Sequence, residues 1–213
     1  MAVSAATSSD DPPEAGLFGI VLAAGASRRF GSAKQLSEFR GQPLVARAMR
    51  LAEAVSGPRT LLVAGNQWSP VASACAPLAG YLVVNPQFDQ GLGSSIAAGV
   101  AAVEGVATGV LLLLADQPLI ESSHLRAMID AWSTDPHCIV ASEFDGIEGP
   151  PVIFPADVFP QLLALDGDSG ARSVLKANPS RLRRLHCAGA AFDIDVPADL
   201  EAASRQSAIR PLR

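Results

Sequence analysis

Two arginines and a lysine, Arg28, Arg29 and Lys34, follow the small-residue run Leu22-Ala23-Ala24-Gly25-Ala26 closely in sequence. Small side chains let backbone N–H groups approach a polyanion, and the cations neutralise it. That combination suits a triphosphate. The spacing is neither G-x-x-x-x-G-K-[ST] nor G-x-G-x-x-G. The other reading of the same residues is an ordinary strand-to-helix turn carrying a solvated basic patch.

Carboxylates elsewhere in the chain suit a metal. Asp116, in Ala115-Asp116-Gln117-Pro118, directly follows the apolar run 110–114. An acid at the tip of a buried strand lies near the ligand crevice and suits a hard cation such as Mg²⁺. A turn or helix-capping aspartate before proline is the structural alternative. The run 191–194 reads as a strand, which puts Asp193 and Asp195 on one face with Ile194 on the other. Asp195 is then the second candidate ligand, since Mg²⁺ commonly takes one or two carboxylates together with phosphate oxygens. Pro197 and Asp199 are accounted for by a helix start.

Three further loops carry polar groups. Asn85 leaves an apolar run, and Gly91-Leu92-Gly93-Ser94-Ser95 opens a helix over 94–104. The Asn85 amide offers donor and acceptor to a base or ribose. Ser94 or Ser95 either caps the helix or faces a ligand at its N-terminus. Gly149-Pro150-Pro151 is a stiff loop entering a strand. Gly167-Asp168-Ser169-Gly170-Ala171-Arg172 turns into a helix over 169–177, with Asp168 as its cap or, with Arg172, as the rim of a second polar substrate. His124, His137 and His186 have no partner spacing, and no pattern supports a covalent nucleophile. Trp68 and Trp132 read as packing residues.

These groups need a frame that brings strand ends together. Apolar runs at 18–22, 60–64, 81–84, 110–114, 138–141, 151–154, 183–187 and 191–194 alternate with helical stretches at 43–55, 69–78, 94–104, 122–132, 157–165, 169–177 and 197–204. Uninterrupted apolar strands imply burial on both faces, hence a mostly parallel sheet between helices. The predicted fold is α/β, a three-layer α/β/α sandwich with a Rossmann-like sheet, in which ligands bind at the carboxyl ends of strands.

The chain has 213 residues, which suits one domain, expected over 18–204. Residues 1–17, acidic and free of Lys and Arg, read as a disordered tail, and 205–213 as a frayed end. Of the residues, 49% are hydrophobic but only 5% aromatic, which favours aliphatic strands and Ala/Leu-rich helices. A net charge of −5 with no basic block argues against nucleic-acid binding, and no apolar run is long enough to span a bilayer. Cys75, Cys138 and Cys187 lack metal spacing and read as buried thiols of a reducing, cytoplasmic compartment.

Taken in order, these segments resemble the molybdenum cofactor cytidylyltransferase family, within the nucleotide-diphospho-sugar transferase superfamily, from about residue 18 to 200. The signature L-A-A-G-x-x-x-R-x-G-x-x-K aligns with Leu22 to Lys34, and Asp116 matches the superfamily's metal aspartate. Leu-Ala-Ala-Gly, Gly93-Ser94-Ser95-Ile96, the segment from Gly167 to Arg172 and Asp193-Ile194-Asp195 resemble the cytidylyltransferase branch more than the guanylyltransferase branch. Pro150 and Val196 depart from that branch, which often has a polar residue and a threonine there.

The resemblance implies a Mg²⁺-dependent transfer of CMP from CTP to the terminal phosphate of molybdopterin, releasing pyrophosphate. Catalysis would fall to Arg29, Lys34 and Asp116, with Mg²⁺ on Asp116 and Asp195. The nucleotide would contact Leu22, Ala23, Ala24, Gly25, Ala26, Arg29, Lys34, Asn85, Ser94 and Ser95. The acceptor would contact Gly149, Pro151, Asp168 and Arg172. GTP in place of CTP, another phosphorylated acceptor, or a non-catalytic cofactor carrier are the alternatives. The implied recipient of the product is a molybdoenzyme or its maturation chaperone.

Overall fold

The computed structural model describes residues 3–5, 16–25, 27, 30–65, 68–76, 78, 80–167 and 170–208. The expectations placed on Ala26, Arg28, Arg29 and Asp168 lie outside these residues. The strands are β1 (Val3–Ala5), β2 (Gly16–Ala23), β3 (Glu38–Phe39), β4 (Gln42–Pro43), β5 (Thr60–Ala64), β6 (Tyr81–Val84), β7 (Ala107–Leu114), β8 (Ile139–Phe144), β9 (Ile147–Pro155) and β10 (Leu182–His186). The helices are α1 (Leu44–Ser56), α2 (Trp68–Cys75), α3 (Leu92–Ala101), α4 (Ser122–Thr134), α5 (Phe159–Leu163), α6 (Arg172–Ala177) and α7 (Pro197–Ala208).

The predicted α/β fold with a mostly parallel sheet is the observed one. Eight strands form one sheet in the order β1-β6-β5-β2-β7-β9-β8-β10, and a separate two-stranded hairpin pairs β3 with β4. Within the large sheet β1 and β9 run against their neighbours, and the remaining pairings are parallel.

Alternation within each strand builds the two outer layers. Phe18, Ile20, Val110 and Leu112 pack with Ile96 and Val100 of α3 and Leu162 of α5. Val21, Ala23, Leu111 and Leu113 pack on the other side with Val45 and Met49 of α1 and Leu125 and Met128 of α4. Fully burying each such aliphatic or Phe side chain contributes about 1.5–3 kcal/mol, which makes β2 and β7 the rigid frame for the loops that follow them. A smaller cluster of Phe39, Leu44, Ile194 and Ala203 anchors the C-terminal segment beneath that frame.

From β2 the chain builds outward to β5 and β6, then returns to place β7 on the opposite side of β2. The order therefore reverses between β2 and β7, and crevices outside the carboxyl ends of strands at such a point are where ligands bind in open α/β sheets.

Three expectations are corrected. Residues 191–194 are not a strand: Ala188–Ala191 is a turn of 3-10 helix, and Phe192 to Val196 is irregular. The Ala190 N–H bonds back to the Cys187 carbonyl at 3.0 Å, which closes a turn there. Val3–Ala5, assigned to the disordered tail, pairs with Tyr81 to Val83 as an edge strand. Helix α7 runs to Ala208 rather than ending at 204. The three cysteines are free and buried, as expected. Trp132 is in the core, but Trp68 is 45% exposed and packs little. Among the described residues no helix is long and apolar enough to cross a membrane.

Candidate active site

The loop after β2 and the loop after β7 lie side by side because their strands do; the Ala115 N–H donates to the Leu22 carbonyl at 3.2 Å. A cleft of about 410 Å³ opens between them, lined by Leu22 to Gly25, Lys34, Gln35, Ser95 and Asp116, among others. Leu22, Ala23 and Ala24 are buried while Gly25 is exposed, so the chain surfaces at the cleft mouth. The start of α3 joins the same wall through Gly91, Leu92 and Ser95. Gly91 at φ +109° makes the bend that aims this helix N-terminus into the cleft, a backbone conformation that favours glycine.

Lys34 projects from a 3-10 turn, Lys34–Leu36, and crosses to the far side of the cleft. Its ammonium donates to Asp116 Oδ2 at 2.6 Å and to the Ile194 carbonyl at 2.9 Å, and lies 3.4 Å from Asp195 Oδ1. The three side chains are 13%, 20% and 42% exposed for Lys34, Asp116 and Asp195, so the pair is sheltered and Asp195 faces solvent. Burial works against the Lys34 charge, but the charge and hydrogen bond of Asp116, then Asp195, outweigh it and raise its pKa above the ordinary lysine value. The ammonium stays fully protonated at neutral pH.

Asp195 reaches this point without a strand. The Ile194 N–H donates to the Asp116 carbonyl at 2.9 Å, which splices the irregular segment to the end of β7. The Asp199 carboxylate accepts from the N–H groups of Asp195 and Val196 at 2.7 and 2.8 Å, the capping role expected of it. Asp193 turns the other way and accepts from Gln117 Nε2 at 3.0 Å. Although Asp193 is exposed as a residue, its carboxyl end is crowded; partial desolvation, then the Asp116 charge, holds its pKa above the usual carboxylate range.

A divalent cation fits this donor set. Asp116 Oδ1 is buried with no hydrogen-bond partner, an uncompensated hard oxygen at the cleft wall. Among the described residues no three His, Cys, Asp or Glu side chains gather into a metal-holding group, so ligand oxygens must complete any such site.

Three residues that the sequence pattern does not mark shape the site. Gln35 is 5% exposed. Its Nε2 donates to the Ala23 carbonyl at 3.1 Å and the Gly25 carbonyl at 2.6 Å. Ser27, at φ +50°, holds a left-handed conformation that costs a serine roughly 1–3 kcal/mol. Its hydroxyl lies 3.2 Å from Gln35 Oε1 and accepts from the Lys34 N–H at 3.2 Å. Arg47 of α1 braces the other loop, donating to the Pro118 and Ile120 carbonyls at 2.7 and 3.1 Å. A lone glutamine after a lysine carries no periodic signal, and Arg47 reads as one polar face of a helix.

The expected base-facing Asn85 is buried and spends its amide internally. Its Nδ2 donates to Ser94 Oγ and Ser95 Oγ, each at 3.0 Å, and its Oδ1 accepts from the Gln87 N–H at 2.9 Å. It braces the start of α3. No side chain caps that helix, which begins at Leu92 rather than at the serines.

Of the expected acceptor contacts, Gly149 and Pro151 lie on β9 in the antiparallel part of the sheet, and Arg172 begins α6. The Arg172 guanidinium comes within 4.0 Å of the Gly149 Cβ position, so those two meet. Gly149 to Pro151, expected as a loop, lie within β9; Pro151 is buried and its carbonyl accepts from Ser142 Oγ at 2.8 Å. Ser142 in turn is 2.9 Å from His124 Nε2. Gly167 crosses the start of α3, accepting from the Gly93 N–H at 3.1 Å.

The model of the MobA-like NTP transferase domain matches residues 19–184. The chain belongs to the MobA-like NTP transferase family. It is 30% identical over 200 residues to purine catabolism protein PucB of Bacillus subtilis, covering 89% of this chain and 96% of that protein. It is 29% identical over 188 residues to nicotine blue oxidoreductase of Paenarthrobacter nicotinovorans, covering 84% and 90%. Rv0371c of Mycobacterium tuberculosis H37Rv superposes with a TM-score of 0.78 at 28% identity, over 91% of this chain and all (100%) of that one. The manganese complex of the same protein superposes at 0.71 with 26% identity, over 89% of this chain and 98% of that one. As a member of this family the chain is a nucleotidyltransferase.

Proposed function

We propose that the protein transfers CMP from CTP to the terminal phosphate of molybdopterin and releases pyrophosphate, within one domain over 18–204. The observation that carries this reading is the Lys34 ammonium, 2.6 Å from Asp116 beside an unpartnered Asp116 oxygen, at the mouth of the small-residue loop. The resemblance in Leu22–Lys34, Gly93–Ile96 and Gly167–Arg172 supports the branch and its acceptor.

The loop 22–26 with Lys34 and Arg29 holds the triphosphate, and the N-terminus of α3 adds its dipole to the same wall. Asp116 and Asp195 would hold Mg²⁺, which would offset phosphate charge there; the manganese complex of Rv0371c supports a divalent ion at this place. Arg172 and Gly149, with Asp168, hold the acceptor so that its phosphate oxygen faces the α-phosphorus. A bond forms from that oxygen to phosphorus as the bond to the β-phosphate oxygen breaks. The attacking oxygen is already anionic, so no residue need take a proton. The chain contributes positioning and preorganised charge. Buried free thiols fit the reducing cytoplasm, where the product would pass to a molybdoenzyme or its maturation chaperone.

Pyrophosphate release is followed with molybdopterin and Mg²⁺, supplying CTP or GTP. Turnover at least tenfold faster with CTP is expected. Faster turnover with GTP replaces the base assignment, and turnover only with a different phosphorylated acceptor replaces molybdopterin.

A further inference from the structure

We infer that Gln35 is a positioning residue for the triphosphate: it fixes the direction of the loop carbonyls and thereby makes the small-residue loop an anion site. The inference rests on the nucleotidyltransferase assignment of that loop and adds a residue outside the aligned signature. Two carbonyl oxygens, of Ala23 and Gly25, lie 3.1 and 2.6 Å from Nε2, and a carbonyl can only accept, so both amide hydrogens of Gln35 are spent on the loop. Across a trans peptide, C=O and N–H point in opposite directions. Drawing the Ala23 carbonyl toward Gln35 therefore turns the Ala24 N–H away from it. An unrestrained loop would present carbonyl oxygens to the cleft, where they repel phosphate.

The other end of the amide closes a relay. The Ser27 hydroxyl sits between Gln35 Oε1 and the Lys34 N–H, 3.2 Å from each. The strained φ of +50° at Ser27 is what brings its hydroxyl there. Gln35 thus ties the loop at 23–27 to the turn that carries Lys34, and one side chain sets both the backbone donors and the cation. It is almost fully buried yet reaches the cleft wall, so it acts from behind the loop rather than by displacing it.

The test is calorimetric titration of wild type and Gln35→Met, a neutral side chain of similar length, with CTP, CMP and inorganic tripolyphosphate at fixed Mg²⁺. Thermal melting is followed alongside. Gln35→Met is expected to weaken tripolyphosphate and CTP tenfold or more while CMP changes less than twofold. Ser27→Ala, which removes the relay and the 3.4 Å hydroxyl contact to the Gly25 carbonyl but leaves both Gln35 Nε2 bonds, is expected to weaken tripolyphosphate about threefold and serves if Gln35→Met does not fold. Equal weakening of CTP and CMP, or no weakening of tripolyphosphate, overturns the inference, as does a wild type that binds no tripolyphosphate. Tripolyphosphate carries no base and no pterin, so failure of the CTP or molybdopterin assignment leaves this comparison readable.

Discussion

The centre of the sheet and its antiparallel flank are built differently. On the parallel side, the loops after β2 and β7 are tied from behind by buried or half-buried side chains, Gln35 on one and Arg47 on the other. On the antiparallel side, Arg172 stands exposed beside Gly149, and Arg184 pairs with Glu148 in the open. The first arrangement fixes charge in place before a ligand arrives, which is what stabilising a transition state requires. The second leaves Arg172 exposed and holds Arg184 only through a surface ion pair. Under the proposed function, the braced part would hold the nucleotide and the open part the acceptor.

The contrast breaks first at Lys34. Lys34→Ala should lower pyrophosphate release roughly 100-fold or more, whatever the acceptor, with a melting temperature close to that of wild type. Near-normal release would place the chemistry elsewhere. Arg47→Ala tests whether the rigid side is rigid because of its braces. Loss of two charge-assisted hydrogen bonds to buried loop carbonyls should cost about 1.5–3 kcal/mol in urea unfolding, and an unchanged midpoint would show that the loop holds itself. Asp199→Ala, which frees two N–H groups next to Asp195, should cost about 1 kcal/mol, or ~2–4 °C in a chain of this size. The smallest effect belongs to the open side. Arg172→Ala should raise the acceptor KM about fivefold, a change of ~1 kcal/mol, and leave the CTP KM unchanged. An equal rise in both constants would erase the division between the two sides.

Much of the frame was legible because burial on both faces leaves a plain mark. Val110 to Leu114 carries no polar residue, and in the structure alternate members feed opposite clusters. Asp116 was legible as the tip of an apolar strand, and Lys34 as part of the segment that follows another. The segment 191–194 misled because Phe192 and Ile194 alternate with aspartates as a strand would. There the alternation serves a single backbone bond to Asp116 and the burial of Ile194. Asn85 misled for another reason: an amide that suits a ligand suits a loop equally, and only the positions of Ser94, Ser95 and Gln87 decide between them. Val3–Ala5 was invisible since an edge strand of three residues needs backbone pairing and no pattern.

The central claim is that Asp116 belongs to the machinery of CMP transfer. It is tested by incubating α-³²P-labelled CTP with molybdopterin and Mg²⁺, and comparing wild type with Asp116→Asn, which keeps the shape of the side chain and removes its charge. Label is expected in the pterin product with wild type, and labelling at least 100-fold slower with the variant, although both remain folded. Equal labelling by the two proteins would contradict it.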